Sequence, residues 1–450
     1  MGIILRSFMP NRNTDAAPSA PSSPGLGVGR QRIAVVGAGI SGLASAYFLS
    51  TRHAVTLYEA GSYLGGHSNT VDVTVGELTH PVDTGFLVYN ERTYPNLVRL
   101  FSELAVKCHR SEMTFGVSLD GGRIEWAGTN LDSVFAQRSN LVSARFVGML
   151  RDIVRFNRDA DTNLTAARAS GMTLGEMLER GRYGQGFRNV YLLPMVAAIW
   201  SGARRGVLDF PAETFLQFSL NHGLLQLTDR PQWLTVDGGS RRYVGLIRSH
   251  LQDVRAATPV RQVRRGPSNV LVTTDDDTKS FDAVVFATHA PTTLQLLVDA
   301  RPEERAVLAP VRYQSNLAVL HRDPKLLPRR RKVWSAWNYL SEAAQDSAGP
   351  VCVSYLINKL QPIPVAEPIV VTLNPFAGPD PALEFARFSY EHPVLDAPAL
   401  AAQAALPGVQ GLHQAWFAGA WTGYGFHEDG LKSALRVATE FGVAPQWAVL

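Results

Sequence analysis

Cysteine is scarce in this sequence, which has only Cys108 and Cys352 among 450 residues. No CxxC pair occurs, so the sequence predicts neither a disulfide framework nor a structural zinc site. The opening segment MGIILRSFMP also has too short an apolar core for a secretory signal. We therefore expect a cytoplasmic protein, and peripheral contact with the inner membrane stays open.

Long hydrophobic runs and a strong charge excess are absent as well. The most apolar run, residues 191–200, falls far short of the ~20 residues that a membrane span needs. With 43 basic and 39 acidic residues, the sequence has no concentrated basic stripe, so we expect no nucleic-acid partner. The densest basic run, RRRK at residues 329–332, is typical of a solvated loop, although it also suits an anionic membrane surface.

The chain is long enough for two domains or one large interleaved unit. Hydrophobic residues make up 46% of it, so it can bury a cofactor. Residues 1–30 are rich in Pro, Ala, Ser and Gly, and we expect them to form a disordered N-terminal arm.

A glycine-rich βαβ pattern follows this arm. The apolar run at residues 33–36 predicts a buried strand, and Gly37, Gly39 and Gly42 then satisfy GxGxxG before a stretch of helical composition. A second predicted strand ends at Glu59, twenty residues past Gly39. Glycines at this spacing permit a tight turn, a close approach of a pyrophosphate to a helix N-terminus, and close helix–strand packing. The acid at the strand end suits ribose hydroxyls, so the unit predicts a dinucleotide site.

The rest of the chain alternates between patterns typical of strands and of helices. Residues 96–230 have patterns that are mostly typical of helices, whereas the segments after residue 230 have patterns typical of short strands and turns. We expect an α/β fold in which a Rossmann-type domain is interleaved with a mixed α+β substrate domain. The nucleotide domain is assigned residues 31–95, 231–290 and 406–450, and the substrate domain, with its helical insertion, residues 96–230 and 291–405.

Several motifs, taken in order, resemble the flavin-containing amine oxidase superfamily: GAGISGLASAYFL, GGHSNT, DAVVFATHAP and FAGAW…GFHEDGLKSAL. More closely, YLLPMVAAIWS, NHGLL, RPQWLTVDGGSRRYV, WNYL and YGFHEDGL resemble a bacterial branch of predicted FAD/NAD-binding proteins. Members of that branch often accompany cyclopropane-fatty-acid-synthase-like methyltransferases. The resemblance implies a glutathione-reductase-like FAD-binding fold and FAD as the cofactor. It also raises a lipid methyltransferase as a partner.

The resemblance assigns most of the FAD contacts. Gly65, Gly66 and His67 match a turn beside the phosphates and ribityl chain, Val260 matches the residue that holds adenine, and Asp83 begins a stretch close to the flavin ring. Because no SGGC-type stretch occurs, noncovalent FAD is expected. The predicted FAD-binding residues are Gly37, Gly39, Ile40, Ser41, Gly42, Glu59, Gly65, Gly66, His67, Gly85, Phe86, Val260, Gly419, Asp429, Gly430 and Leu431.

The segment TGYGFHEDGL near residue 430 admits more than one interpretation. Gly430 and Leu431 are predicted to begin the last helix, with its N-terminus facing the flavin. His427, Glu428 and Asp429 either cap this helix and bond ribityl hydroxyls or backbone, or His427 or Glu428 takes part in proton transfer. A metal site is disfavoured because three consecutive side chains cannot converge on one ion.

Tyr424 and Phe426 complete the predicted catalytic set with His427 and Glu428. Their rings form one pocket wall in this interpretation, against either an amine or an acyl chain. The many large apolar side chains in the inserted segments favour a hydrophobic substrate pocket. The segment YQSNLAVLH has Ala318 where many superfamily members have a lysine. The absence of this lysine makes oxidase chemistry with O2 a less favoured prediction.

Three functions remain open from the sequence. The first is an FAD-dependent oxidoreductase that removes hydride from a C–H bond of a hydrophobic substrate. That substrate is an unsaturated or methyl-branched fatty acyl chain, and the enzyme is a desaturase, a dehydrogenase or a double-bond isomerase. The second is an amine or porphyrinogen-type flavin oxidase. The third is a non-catalytic flavoprotein partner of a lipid methyltransferase.

Overall fold

The structure is a computed structural model, and it describes residues 29–200, 204–226, 230–342 and 351–450. Nearly all of the predicted N-terminal arm therefore lies outside the described residues. The strands are β1 (Arg32–Val36), β2 (Ala54–Tyr58), β3 (Thr70–Val75), β4 (Leu78–Asp83), β5 (Tyr89–Asn90), β6 (Cys108–Ser111), β7 (Phe115–Leu119), β8 (Ile124–Ala127), β9 (Trp233–Val236), β10 (Asp253–Arg255), β11 (Gln262–Arg265), β12 (Val270–Thr273), β13 (Thr278–Phe281), β14 (Ala283–Phe286), β15 (Tyr313–His321), β16 (Trp337–Leu340), β17 (Cys352–Leu356), β18 (Val370–Leu373), β19 (Glu384–Pro393) and β20 (Ala415–Phe417).

Seven of the fifteen α-helices in the described residues lie in the middle of the chain, between β8 and β9. The helices are α1 (Ile40–Ser50), α2 (Pro95–Glu103), α3 (Leu131–Val134), α4 (Ala144–Arg158), α5 (Ala160–Ser170), α6 (Leu174–Arg180), α7 (Leu193–Trp200), α8 (Arg204–Val207), α9 (Ala212–Asn221), α10 (Arg241–His250), α11 (Ala290–Leu296), α12 (Pro302–Leu308), α13 (Ile357–Leu360), α14 (Ala397–Ala405) and α15 (His427–Glu440). Within the described residues, none of them is both long and apolar enough to cross a membrane.

A parallel five-stranded sheet in the order β10-β2-β1-β14-β20 forms the centre of the nucleotide half. Its strands β1 and β14 are apolar because both faces of the sheet are covered. Helices α1, α10 and α15 pack on one face, and the small sheet of β11, β12 and β13 packs on the other together with α12 and α14. In a parallel sheet all strands end at the same edge, so the loops after β1, β2, β14 and β20 meet there. This edge positions the candidate site.

A mixed seven-stranded sheet in the order β19-β15-β18-β17-β16-β7-β8 forms the second half. The segment YQSNLAVLH, which contains Ala318, forms strand β15. Helices α4 to α9 share one large apolar core with this sheet. Strands β6, β7 and β8, however, interrupt a region that the sequence predicts to be mostly helical. The prediction missed them because a strand of four or five residues is too short to show a clear alternation of polar and apolar residues.

The last helix begins earlier than predicted. It starts at His427 and not at Gly430, because the Asp429 carboxylate accepts a hydrogen bond of 2.9 Å from the backbone N–H of Phe426 and so caps the helix one turn sooner. Helix α15 packs against α1 beside the five-stranded sheet. The central sheet takes strands from the three segments assigned to the nucleotide domain, while the domain limits themselves remain a prediction.

Candidate functional site

A cavity of about 1070 Å³ opens at the carboxyl edge of the five-stranded sheet. This volume is at the upper end of the range for pockets that bind small molecules and cofactors. One end is formed by the glycine loops after β1 and β2, and the other end extends between the seven-stranded sheet and helices α4 and α7. The two ends differ in chemistry, polar and glycine-rich in one and apolar in the other.

The loop after β1 presents free backbone donors to the cavity. Gly37 has a φ of +97° and donates its N–H to the carbonyl of Tyr58 at 2.8 Å. Gly39 is the N-cap of α1, and no side chain caps that helix end. A Cβ built on Gly39 would meet no protein atom within 4 Å. The first-turn N–H groups of α1 therefore face open space, which is the arrangement that binds a phosphate.

Gly42 serves packing and not the cavity. A Cβ at this position would lie 1.7 Å from the carbonyl oxygen of Gly37. The third glycine of the motif therefore lets α1 lie close to the loop, and it supports the site without lining it.

Glu59 lies at the carboxyl end of β2 and lines the cavity together with Val260. Its Oε2 accepts a hydrogen bond from the N–H of Ala38, and its Oε1 accepts one from the N–H of Gly61, both at 2.8 Å. These bonds fix the carboxylate at the cavity wall, and its remaining lone pairs can accept hydrogen bonds from ribose hydroxyls.

The second glycine cluster, after β2, approaches the first one closely. Gly65 and Gly66 both have positive φ values, and a Cβ on Gly66 would lie 3.3 Å from the Cα of Gly39. A Cβ on Gly85 would lie 2.3 Å from the carbonyl oxygen of His67, which accepts the N–H of Phe86 at 2.7 Å. Backbone from three separate segments thus forms one wall of the cavity.

His67 has a buried polar atom without a protein partner at the cavity wall. Its ring lines the cavity and stacks on Tyr390 at 4.8 Å, yet its Nε2 is buried without a hydrogen-bond partner. Burial, followed by the neighbouring His392, holds the pKa of His67 well below its usual value, so the ring is neutral. The cradle at Gly39 and this orphaned nitrogen fit a bound flavin dinucleotide.

His427 also lines the cavity, as the first residue of α15. Its ring stacks on Phe86 at 3.7 Å, and its Nε2 lies 2.9 Å from both Ser68 Oγ and Tyr243 Oη. Burial lowers the pKa of His427 to about 3. The alternative in which His427 takes part in proton transfer is therefore corrected, because a buried imidazole held between two hydroxyl groups stays neutral.

Glu428 does not reach the cavity. Its Oε1 accepts hydrogen bonds from the N–H and the Nδ2 of Asn96, and its Oε2 accepts the N–H of Leu97. The carboxylate thus caps the N-terminus of α2, and the prediction of Glu428 as a proton-transfer residue is corrected on this ground.

Three further predicted FAD-binding residues in α15 lie behind the cavity wall. Asp429 caps the helix, and Leu431 is fully buried in the core. A Cβ on Gly430 would lie 2.8 Å from Ile40 and 2.9 Å from the Oγ of Ser41. These residues position α15 against α1, whereas the predicted residues Ile40, Ser41 and Gly419 line the cavity itself.

Tyr424 and Phe426 line the cavity as predicted for a pocket wall. Phe426 stacks on Phe218 of α9 at 5.1 Å, and Tyr424 meets the same ring edge-on at 5.6 Å. His222, whose pKa burial lowers to about 4, stacks on Phe218 at 3.9 Å. The helical insertion therefore supplies the other side of this wall.

The apolar end of the cavity contains residues that the sequence did not identify. Helix α4 and helix α7 contribute aliphatic side chains, and the strands contribute aromatic ones. A helical face that lines a cavity has the same period as one that packs in a core, so periodicity could not distinguish the two. The main apolar lining residues are Phe115, Trp126, Leu150, Ile153, Val154, Tyr191, Met195, Ala198, Ile199, Trp337, Tyr355 and Leu373.

Asp83 points away from the cavity, although the sequence places its stretch beside the flavin ring. Its carboxylate accepts the N–H and Oγ–H of Ser240, the Oγ1–H of Thr70 and the Nε2–H of Gln361. It therefore joins β4 to the start of α10. Burial raises its pKa to about 6, although these hydrogen bonds oppose the shift.

The raised pKa of Asp83 predicts a pH-dependent stability. The folded protein holds this proton more tightly than the unfolded chain, so the contribution is full below about pH 4 and is lost as the pH rises through about 6. Relative to Asp83→Asn, the wild type should lose about 2 kcal/mol of unfolding free energy between pH 4 and pH 7. Denaturant unfolding at both pH values measures this, and parallel pH profiles for the two proteins would contradict it.

Comparison with known proteins adds the following findings. The family described as flavin containing amine oxidoreductase matches residues 40–330. Carotenoid phi-ring synthase from Streptomyces griseus is 30% identical over 323 residues, which cover 66% of this chain and 59% of that protein. The chain thus matches less than two thirds of the length of this relative.

Solved structures match over most of the chain. The CLA-producing fatty acid isomerase from P. acnes has a TM-score of 0.67 at 15% identity, with 91% of this chain and 98% of that chain covered. Cyclohexylamine oxidase from Brevibacterium oxydans IH-35A has a TM-score of 0.62 at 17% identity, with 92% and 100% covered. These matches confirm the predicted α/β fold class.

Proposed function

Because the chain belongs to the flavin containing amine oxidoreductase family, we propose that it is an FAD-dependent enzyme acting on an unsaturated or methyl-branched fatty acyl chain. In this proposal a C–H bond of the chain loses hydride, as in a dehydrogenase, a desaturase or a double-bond isomerase. The family implies a flavin cofactor, and a bound FAD would supply the hydride acceptor. The remaining steps depend on residues of this chain.

The apolar end of the cavity is the observation that carries the proposal. It belongs to the same cavity as the predicted flavin site and is lined by Tyr355 and Leu373 of the seven-stranded sheet and by Ile153 and Val154 of α4. A hydrocarbon chain in this space would be removed from water and held with one carbon beside the flavin site. The names of two similar proteins, a fatty acid isomerase and a carotenoid ring synthase, also point to molecules rich in hydrocarbon.

Noncovalent attachment of FAD is part of the proposal. Cys108 lies in β6 and Cys352 is buried in β17, and neither lines the described part of the cavity. In this proposal the first-turn N–H groups of α1 bind the phosphates and Glu59 binds a ribose. The unpartnered ring nitrogen of His67 forms a hydrogen bond with the cofactor.

The neutral histidines favour chemistry that needs no strong base. Burial lowers the pKa of His427 to about 3 and that of His392 to about 4, so both rings are weak proton acceptors at neutral pH. Desaturation requires removal of a proton as well as a hydride. In double-bond isomerisation the hydride lost from one allylic carbon returns to another carbon of the same chain, and no net electrons leave. We therefore favour the isomerase within this proposal.

The test is anaerobic incubation of the purified holoprotein with free monounsaturated and diunsaturated fatty acids and with phospholipid-bound methylated monoenoic chains. We expect a shifted double bond in the recovered chain, measured by mass spectrometry, or a loss of flavin absorbance if electrons remain on the protein. A saturated chain of equal length is the matched control, since it lacks an allylic C–H bond. Acid precipitation of the protein should release the flavin into solution.

Two outcomes would replace the proposal. Loss of flavin absorbance with putrescine or cyclohexylamine, but with no acyl chain, would assign amine oxidation instead. A flavoprotein that none of these compounds reduces or alters would instead fit a non-catalytic partner of a lipid methyltransferase.

A further inference from the structure

An unusual concentration of exposed apolar side chains lies on the helical layer next to the cavity. We call it the apolar patch, and it consists of Leu131, Leu141, Val142, Val147 and Val154. Val142 is 88% exposed and Leu131 is 77% exposed. Scattered single residues of this kind are normal on a protein surface, but five within 24 residues of sequence are not.

The patch belongs to one continuous layer. It comes from α3, the 3₁₀ turn Arg138–Val142 and α4, and the inner side of this layer is fixed by the ring of Phe146, which packs on Trp126 at 6.2 Å and on Phe135 at 6.0 Å. Helix α4 buries Phe146, Met149, Ile153 and Phe156 along that inner side. The exposed residues are therefore an outward face and not a core that has failed to close.

Basic side chains surround the patch. Arg145 and Arg151 on α4 are exposed, and Arg138 and Lys332 lie at the α3 side, where both pair with Asp132. Between residues 131 and 158 there are five arginines and two aspartates, so the charge of the segment is positive. An apolar face edged by arginine and lysine fits the interface of an anionic bilayer, where apolar groups enter the acyl boundary and cations meet lipid phosphates.

Helix α4 also connects this surface to the cavity. Leu150, Ile153 and Asn157 line the cavity from α4, and Val154 both lines it and is 54% exposed. The cavity therefore reaches the surface at the patch. A hydrocarbon chain that left a bilayer there would enter the apolar end of the cavity without crossing water.

We propose that the apolar patch is a docking surface for an anionic phospholipid bilayer, from which an acyl chain enters the cavity past Val154. The acyl chain in this statement rests on the proposed function, whereas the docking itself does not. A bilayer is favoured over a second copy of the chain or a protein partner because charge and apolar area occur together at the opening of the cavity.

The experiment is flotation of the full-length protein with vesicles of neutral phosphatidylcholine, or of phosphatidylcholine with phosphatidylglycerol. We expect binding to the anionic vesicles, weakened at high salt. Leu141→Gln, Val142→Gln and Val147→Gln combined should reduce binding by about tenfold or more, because three apolar groups no longer enter the bilayer. These side chains are exposed and do not line the cavity, so flavin content and thermal stability should stay unchanged.

A matched control removes exposed apolar groups elsewhere. Leu78 and Val298 are 56% and 42% exposed and lie outside the patch, so Leu78→Gln with Val298→Gln should bind vesicles as the wild type does. Arg151→Gln should lower binding to anionic vesicles only. Its control is Arg99→Gln, because Arg99 is an exposed arginine on α2, outside the patch.

The proposal is overturned by absence of vesicle binding in the wild type, or by equal binding of the triple variant. It is also overturned if the wild type is a dimer without vesicle binding and the triple variant is a monomer, since a second copy would then cover the patch. A failure of the proposed function appears separately, as vesicle binding without any change in an acyl chain.

Discussion

Replacing Gly39 with aspartate is expected to abolish flavin binding and leave the fold intact. The residue has a φ of −69° and a ψ of −176°, which any amino acid adopts, and a Cβ there meets no protein atom within 4 Å. An aspartate is moreover a favourable N-cap for α1. Its carboxylate would occupy the space and the N–H groups predicted to bind the pyrophosphate, so we expect at least a ~100-fold loss of FAD affinity from overlap and like charge.

Flavin content after purification and thermal unfolding of the apoprotein together measure this effect. The Gly39→Asp apoprotein should unfold at the same temperature as the wild-type apoprotein or at a higher temperature. Gly148→Ala on α4, where a Cβ also meets nothing within 4 Å, is a control that should keep its flavin. Gly42→Ala should instead destabilise the fold, since its Cβ would overlap the Gly37 carbonyl. A Gly39→Asp protein with normal flavin content would refute the assignment of this loop.

Replacing Ala198 with phenylalanine is expected to stop turnover of long acyl chains while flavin content stays normal. Ala198 lies on α7 and lines the cavity together with the apolar neighbours Met195 and Ile199 of the same helix. The added ring would occupy volume that the proposed substrate needs and would overlap a bound chain. We expect kcat/KM for long chains to fall by about 100-fold or more, which corresponds to ~2.7 kcal/mol of lost binding or positioning.

The matched control is Ala198→Ser, which changes the same site without bulk and should keep most of the activity. Chains that end before Ala198 should be turned over by the phenylalanine variant as by the wild type. Equal loss of activity for short and long chains would show that the ring disturbs the fold or the flavin, and unchanged turnover of long chains would place the substrate elsewhere.

The flavin half of the site was predictable because its sequence signals lie close together along the chain. A buried strand, three glycines at fixed spacing and a terminal acid define the loop after β1, and the structure has Gly37, Gly39 and Glu59 at the cavity as the motif requires. Their contact with FAD remains a prediction. The resemblance to a known family added Gly66 and His67, which spacing alone does not identify.

The roles of α15 were not predictable in the same way. The segment HEDG gives no sign that the carboxylate of Glu428 caps a helix that begins 333 residues earlier at Pro95, because that contact depends on how α15 lies across α2. The low pKa of His427 likewise follows from burial between Phe86, Ser68 and Tyr243, which no local pattern shows.

The central sheet also has a consequence for the order of events during synthesis. Strand β1 pairs with β14 about 250 residues later, β14 pairs with β20, and α15 closes the cavity with His427. Loops of this length close slowly, and parallel pairing waits for both partners. The cofactor pocket can therefore assemble only after the ribosome has released the region of α15. Until then the apolar edges of β1 and β14 lack their final cover, and a nascent chain at that stage is a candidate for chaperone binding.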